Sequence, residues 1–321
     1  MTLDILIPQY KETDEIVKPL LDSIALQQNV DFNNIGVIIV NDGSDVFLSD
    51  KLLSSYPFKI KYYKNKHAGV SATRQKAFDL SKADYVMWCD ADDMFYNMCG
   101  LWIIFREMQS GFDSLVPDFI EEARTDGVPN YITHKSDSTF VHGKVHRRKY
   151  LKKQKIKWNP ALTIHEDGYF NTLCQKCSKN VKYGTAPFYL WKWRDDSVCR
   201  SDFKYILKTY NNLLDSYTAL VHEFEKRKKP VEAKYYASSI VYHAYFTMNK
   251  DEWINQENKE YRDKTELRFK AFYLEFKKYL EDLTQQEKML ILKRLRDKFY
   301  LEGMLLETVT FDSWIKHIEA L

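Results

Sequence analysis

With 321 residues, 45% of them hydrophobic and 15% aromatic, the chain has material for one large domain or two ordinary ones. Lys and Arg (48) nearly balance Asp and Glu (45), so a formal charge of +3 gives no global electrostatic case for a polyanionic partner. The five cysteines have no scaffold spacing and suit reduced thiols, Cys174-x-x-Cys177 lacks a second pair for a zinc site, and no apolar run approaches the ~18–20 residues that span a bilayer. Met1-Thr2-Leu3-Asp4 does not read as a signal peptide, so the expectation is a soluble, cytoplasmic protein.

The first hundred residues alternate strand and helix. Leu3–Ile7 is a short apolar run that Pro8 should stop, and Asp14–Gln28 has helical spacing that Pro19 should kink or restart. Val37–Val40 is a β-branched run of the kind buried on both faces of a sheet. Lys59–Tyr63 reads as a strand, Ser71–Ser81 as a helix and Tyr85–Cys89 as the next buried strand. This order predicts an α/β fold, a parallel sheet covered by helices, with ligands at the carboxyl ends of the strands. Residues 110–200 are less periodic and read as mixed strand and loop. From about Ser201 the pattern is helical, with Ile206, Tyr210, Leu213, Leu214, Tyr217, Leu220, Val221 and Phe224 on one face and a break at Lys226–Pro230. Asn249–Glu257 reads as a polar connector, and Leu267, Phe272, Phe276 and Leu280, then Met289, Leu292, Leu295 and Phe299, repeat the helical pattern.

The strand ends are polar: Pro8-Gln9-Tyr10-Lys11-Glu12, Asn41-Asp42-Gly43-Ser44-Asp45 and Asp90-Ala91-Asp92-Asp93. Three carboxylates within four residues after a buried strand are unfavourable unless a cation neutralises them, and Asp-x-Asp spacing suits a hard divalent ion. The plainer reading is a solvated Asp-rich turn. No Gly-x-Gly-x-x-Gly and no P-loop is present, so phosphates need another anchor. Glu166 and Asp167 precede a helix-like run, which fits either simple capping or a positioned base.

In order along the chain, Ile5–Glu12, Val40–Ser44, His67–Arg74, Asp90–Asp93, His142-Gly143-Lys144, His165–Phe170 and Trp191–Arg194 with Ser197 resemble the family 2 glycosyltransferases, inverting, nucleotide-sugar-dependent enzymes of GT-A fold. The resemblance implies a GT-A Rossmann-like catalytic domain over residues 1–200 and leaves 201–321 as a helical domain with an acceptor, oligomerisation or capping role. It places Pro8, Tyr10 and Glu12 in the base and ribose pocket, Asp42 on the base edge and Arg74 on the nucleotide or its phosphates. Asp90 falls to the ribose or sugar, Asp92 to a Mn2+ or Mg2+ ion, with Asp93 as a turn residue. Asp167 becomes the catalytic base, and Arg194 and Ser197, helped by Arg200, belong to a loop closing over the diphosphate. The implied donor is a nucleotide sugar, a UDP-sugar by preference.

The Gln-x-x-Arg-Trp signature of processive synthases is absent, which favours transfer of a single sugar to a hydroxyl on a cell-surface polysaccharide or glycoconjugate precursor. Trp191 and Trp193 stand where Tyr is usual and suit either a sugar face or the core. Lys144–Lys157 carries eight basic residues and no acid, either inherited scaffold or a strip for DNA, teichoic acid or a peripheral membrane contact. A non-catalytic nucleotide-sugar-binding module is the alternative in another class. A nucleotidyltransferase would want glycines after strand one, where Pro8–Glu12 has none.

Overall fold

The computed structural model describes residues 1–195, 203–299 and 310–321. In chain order the first unit holds β1 (Leu3–Gln9), α1 (Asp14–Ala25), β2 (Ile35–Asn41), α2 (Asp50–Leu53), β3 (Lys59–Lys64), α3 (Val70–Leu80), β4 (Tyr85–Trp88), β5 (Met94–Phe95), α4 (Gly100–Ser110), β6 (Ser114–Val116), β7 (Phe119–Thr125), β8 (Val128–His134), β9 (Val145–Arg147), α5 (Arg148–Lys153), α6 (Glu166–Lys176), β10 (Val181–Tyr183) and β11 (Tyr189–Trp191). The second holds α7 (Phe203–Lys226), α8 (Pro230–Met248), α9 (Asp251–Ile254), α10 (Lys259–Glu281), α11 (Gln285–Phe299) and α12 (Phe311–Ala320). The chain divides into these two compact units between residues 197 and 198.

A seven-stranded sheet runs in the order β10-β6-β9-β4-β1-β2-β3, parallel except for β9, which is antiparallel to β4 and β6. A four-stranded sheet, β5-β11-β7-β8, lies beside it. The alternation of strand and helix did predict the parallel half. The three-residue β9 sits inside the basic run and has no pattern of its own.

Pro8 does not stop β1. Cys89 N–H donates to Leu6 O (3.1 Å), so residue 6, and with it residue 8, faces the β4 side of the strand. β4 ends at Trp88 opposite Leu6, so proline's missing N–H falls where no partner strand remains. Pro19 does not break α1 either; the helix runs through it, and the carbonyl it orphans belongs to the exposed Glu15.

In the second unit, Tyr210, Leu214, Leu220, Val221 and Phe224 of α7 are buried as their spacing predicts. On α10 the buried face is Thr265, Phe269, Phe272, Tyr273 and Phe276, leaving Leu267 53% exposed. Two residues on from Thr265 is about 200° round the helix, so Leu267 points the opposite way. Met289 on α11 is likewise exposed. The polar connector contains α9, whose Trp253 is wholly buried, donates its indole N–H to Glu266 Oε1 (2.9 Å) and meets the Tyr210 ring edge-on.

Candidate active site

The ends of β1, β2 and β4 converge, because parallel strands in register finish at one edge of the sheet. After β2, Asp42 is buried, and its two carboxylate oxygens accept the N–H groups of Ala68 (2.9 Å) and Gly69 (3.0 Å). Gly43, at φ +76°, lets this turn press against the neighbouring loop; a Cβ there would lie 2.4 Å from His67 N. The same loop stacks His67 on Tyr10 at 4.9 Å and 26°, an aromatic surface open to solvent at the end of β1. Pro8 is half-buried beneath it. Glu12 folds back so that Oε2 accepts the Tyr10 N–H.

Trp88 is fully buried among Phe78, Trp158 and Phe170, and the chain leaves this packing as Asp90-Ala91-Asp92-Asp93. Three different environments divide the carboxylates. Asp90 Oδ1 accepts from Arg74 Nη2 (2.8 Å); burial works against its charge, but the Arg74 guanidinium outweighs it and holds the carboxyl low. Asp92 is part-exposed and pairs with Arg194 (3.0 Å); burial and the nearby Asp90 raise its pKa, with Arg194 opposing. Asp93 is buried, with Oδ2 accepting the Tyr189 hydroxyl (2.5 Å) and Oδ1 the Lys192 N–H (3.0 Å). Burial and repulsion from Asp92 and Asp90 push it well up. Asp93 is thus a buried tie between this turn and β11, not a plain turn residue.

Arg74, on α3, is the centre of the arrangement. It is 4% exposed, and its guanidinium bridges Asp90 and Glu166 Oε1 (2.7 Å) while stacking over Trp158 at 4.9 Å. Burial disfavours its charge, but Asp90 and Glu166 outweigh that and keep it ionised. Its hydrogen bonds are to the carboxylates of Asp90 and Glu166. Glu166 opens α6 after His165, which adopts a left-handed φ of 63°. Asp167 follows in the first turn, with Oδ1 accepting its neighbour Gly168's N–H at 2.7 Å. Burial, then repulsion from Glu166, pushes the Asp167 carboxyl up to about 7, with Arg74 opposing.

Arg194 reaches from beyond β11 to Asp92 and, at 3.9 Å, to Glu12. Burial raises Glu12 as well. An arginine between two destabilised carboxylates is the arrangement expected of a position that attracts positive charge. Ser197 and Arg200 lie outside the described residues.

Asp90, Asp93 and His142 also bring one ligand atom each within 4.8 Å of one another. His142 is buried in an aromatic box with Phe119, Phe140, Tyr189 and Trp191, its Nδ1 without a hydrogen bond and 3.7 Å from Asp93. Burial lowers it to about 3, leaving the ring neutral. Both Asp93 oxygens already accept hydrogen bonds and Asp90 is held by Arg74, so Asp92 is the better-placed donor toward solvent. His142 belongs to a quoted motif, yet its role depends on Asp93 and Tyr189, which the sequence does not bring near it. Trp191 is partly buried in that box, and Trp193 is partly buried with its indole N–H on Asp195 (2.6 Å). Lys144 is not part of a surface strip; it is fully buried, with Nζ donating to Phe140 O.

A Rossmann-like sheet whose carboxyl edge gathers an aromatic platform, an Asp-x-Asp turn and a Glu-Asp pair defines the GT-A class of transferases. The model of glycosyl transferase family 2 matches residues 4–169, just over half of the chain, and the chain belongs to that family. It is 25% identical over 222 residues to the glycosyltransferase GlyA of Streptococcus pneumoniae serotype 4, covering 62% of this chain and 31% of that protein. The chain therefore spans about a third of that relative's length. Among solved structures it resembles residues 1–349 of S. aureus TarS, with TM-score 0.66 and 15% identity over 92% of this chain and 85% of that one. TarS in complex with UDP-GlcNAc matches with TM-score 0.63 and 16% identity over 85% and 81%. The mannosyltransferase PcManGT of Pyrobaculum calidifontis, solved with GDP-Man and Mn2+, matches with TM-score 0.51 and 12% identity over 98% and 83%. At these identities the structural likeness establishes the GT-A fold. No helix among the described residues is long and apolar enough to cross a membrane.

Proposed function

We propose that the chain transfers a single sugar, with inversion, from a nucleotide diphosphate donor to a hydroxyl acceptor, using a divalent cation at Asp92 and Asp167 as the base. The observation that carries this is the Arg74 bridge, which ties Asp90, at the donor edge, to Glu166, the residue next to Asp167. One buried guanidinium thereby holds the donor side and the acceptor side of the reaction in a common frame.

The residues divide the work by exposure. Tyr10 and His67 offer a stacking surface for the base, and Glu12 lines the ribose side. Asp42 shapes the pocket by holding the Ala68–Gly69 loop. Asp90, kept ionised by Arg74, faces the ribose or sugar. Asp92 fits a hard divalent ion, because its oxygens are part-exposed and its neighbours make its negative charge costly. A divalent ion held by Asp92 would supply charge neutralisation for the departing diphosphate. Arg194, now on Asp92 and Glu12, is placed to turn to the phosphates once positive charge arrives. Asp167, poised near neutrality, takes the acceptor hydroxyl's proton; a base whose pKa matches the working pH is the most effective.

The UDP-GlcNAc complex of TarS and the GDP-Man and Mn2+ complex of PcManGT support a nucleotide-sugar donor with a metal and name two donors to try first. The test is nucleoside diphosphate release from each donor with Mn2+, by wild type and Asp167→Asn. The variant should bind donor as wild type does and lose release; full release by Asp167→Asn would overturn the base assignment. Donor binding by wild type with no nucleoside diphosphate release would favour the non-catalytic nucleotide-sugar-binding module.

A further inference from the structure

The amino end of the large sheet carries a feature the donor site does not use. A recess of about 430 Å³ lies at the start of β4 and the end of β9, lined by Lys82, Arg147, Arg148 and Lys149 with Asp84 and Gln109. β1 is seven residues long, so this recess is roughly 20 Å from the carboxyl edge.

None of its four bases forms an ion pair among the described residues, although Asp84 lines the same recess. The acids at this end are already satisfied by neutral donors: Asp4 by the Ser81 hydroxyl (2.6 Å), Asp84 by the Thr2 N–H (2.9 Å), and Asp113 by the Ser178 hydroxyl (3.0 Å). Backbone bonds from Arg147 N–H to Asp113 O and from Arg148 N–H to Asp84 O, both 2.9 Å, fix where the two arginines start. Among the described residues, Arg148 Nε is buried with no hydrogen-bond partner. Two guanidinium forks and two ammonium groups around a concave volume match tetrahedral phosphate oxygens.

The surroundings select the kind of phosphate. Lys152 and Lys153 on α5, which begins at Arg148, and Lys157 in the turn after it are exposed as well. The apolar residues of this stretch, Tyr150, Leu151, Ile156 and Trp158, are buried, and the exposed large apolar side chain lining the recess is Met1, a single residue and too little to anchor on a bilayer. A basic recess with further exposed lysines on the adjoining helix fits a chain of phosphates better than a lipid surface.

We infer that the basic recess at the amino end of the sheet, together with the exposed lysines of α5, is a binding site for a polyphosphate chain. The site is independent of the donor assignment, and its test is a binding measurement. Wild type and two variants, Arg147→Glu/Lys149→Glu at exposed positions and Arg148→Gln in the recess, are titrated with sodium tripolyphosphate and long-chain polyphosphate by calorimetry. Polyglutamate and phosphatidylglycerol vesicles serve as comparison ligands, and circular dichroism checks that each variant folds. The expected result is polyphosphate binding that falls steeply with salt, weakens at least about tenfold in the double variant and several-fold in Arg148→Gln, and leaves nucleotide binding with Mn2+ unchanged. Equal binding of polyglutamate, vesicle binding stronger than polyphosphate binding, or full polyphosphate affinity in the double variant would each overturn the inference.

Discussion

The large sheet has two ends of opposite character. At its carboxyl end, Glu12, Asp90, Asp92 and Asp93 crowd together, and the protein compensates with its own arginines, Arg74 from below and Arg194 from the side. At its amino end, Lys82, Arg147, Arg148 and Lys149 outnumber Asp84 around a recess, and the nearby acids accept neutral donors instead of these bases. The contrast separates two ways of keeping a charged site. Internal partners preorganise the carboxyl end for a reaction, and Arg74 is buried because its task is geometry. Bases without an ion pair among the described residues are what the inferred anion site at the amino end rests on.

The sharpest way to break this account of the carboxyl end is Asp167→Asn. Turnover should fall by ~10²–10⁴-fold, with donor affinity within about twofold of wild type, measured by nucleoside diphosphate release and calorimetry. The same variant should be more stable above neutral pH. Asp167 rises from an ordinary 3.8 to about 7 in the fold, so its contribution to stability is complete below about pH 4 and is lost as pH climbs through 7. Asn removes that loss, and the gain in Tm should be larger at pH 8 than at pH 5. A lower Tm for the variant at pH 8 would contradict the burial argument.

Arg74→Ala comes next, since it strands two carboxylates against the core. A loss of ~3–5 kcal/mol is expected by chemical denaturation, with Arg74→Lys between it and wild type. A cost below about 1 kcal/mol would mean that the bridge is not the frame of the site. The pH profile is a smaller effect. Below the Asp167 pKa, kcat/KM should drop about tenfold per unit, with the inflection near 7, because the base must be ionised. The smallest is Arg194→Gln, which frees Asp92 and Glu12 from their internal counterion. Without nucleotide, Mn2+ should bind about threefold more tightly by electron paramagnetic resonance, whereas nucleotide affinity should weaken. Unchanged Mn2+ binding would place the ion away from Asp92.

Much of the carboxyl end was legible in the sequence because parallel strands announce themselves as buried runs and end in local polar clusters. Val37–Val40 and Tyr85–Trp88 needed only neighbours in sequence to be read, and so did the Asp-x-Asp turn. The contacts that assign roles within the cluster were not local. Arg74 reaches Glu166 across 92 positions, and Asp93 meets Tyr189 across 96. That is why the sequence alone does not show the Arg74 bridge and reads Asp93 as a turn residue. The basic run was visible as charge, but not that Lys144 turns inward while Arg147 and Arg148 frame a recess. In the second unit the exposed Leu267 and Met289 show the limit of reading a stripe on a charged helix, where an apolar residue is no guarantee of a buried face.

The most direct test of the central claim is calorimetric titration of UDP, and of GDP in parallel, into wild type and Asp92→Ala with and without Mn2+. The account predicts that Mn2+ tightens binding of the preferred nucleotide at least about tenfold in wild type and has no effect on Asp92→Ala. Binding that ignores Mn2+ in wild type, or an undiminished Mn2+ effect in Asp92→Ala, would contradict it.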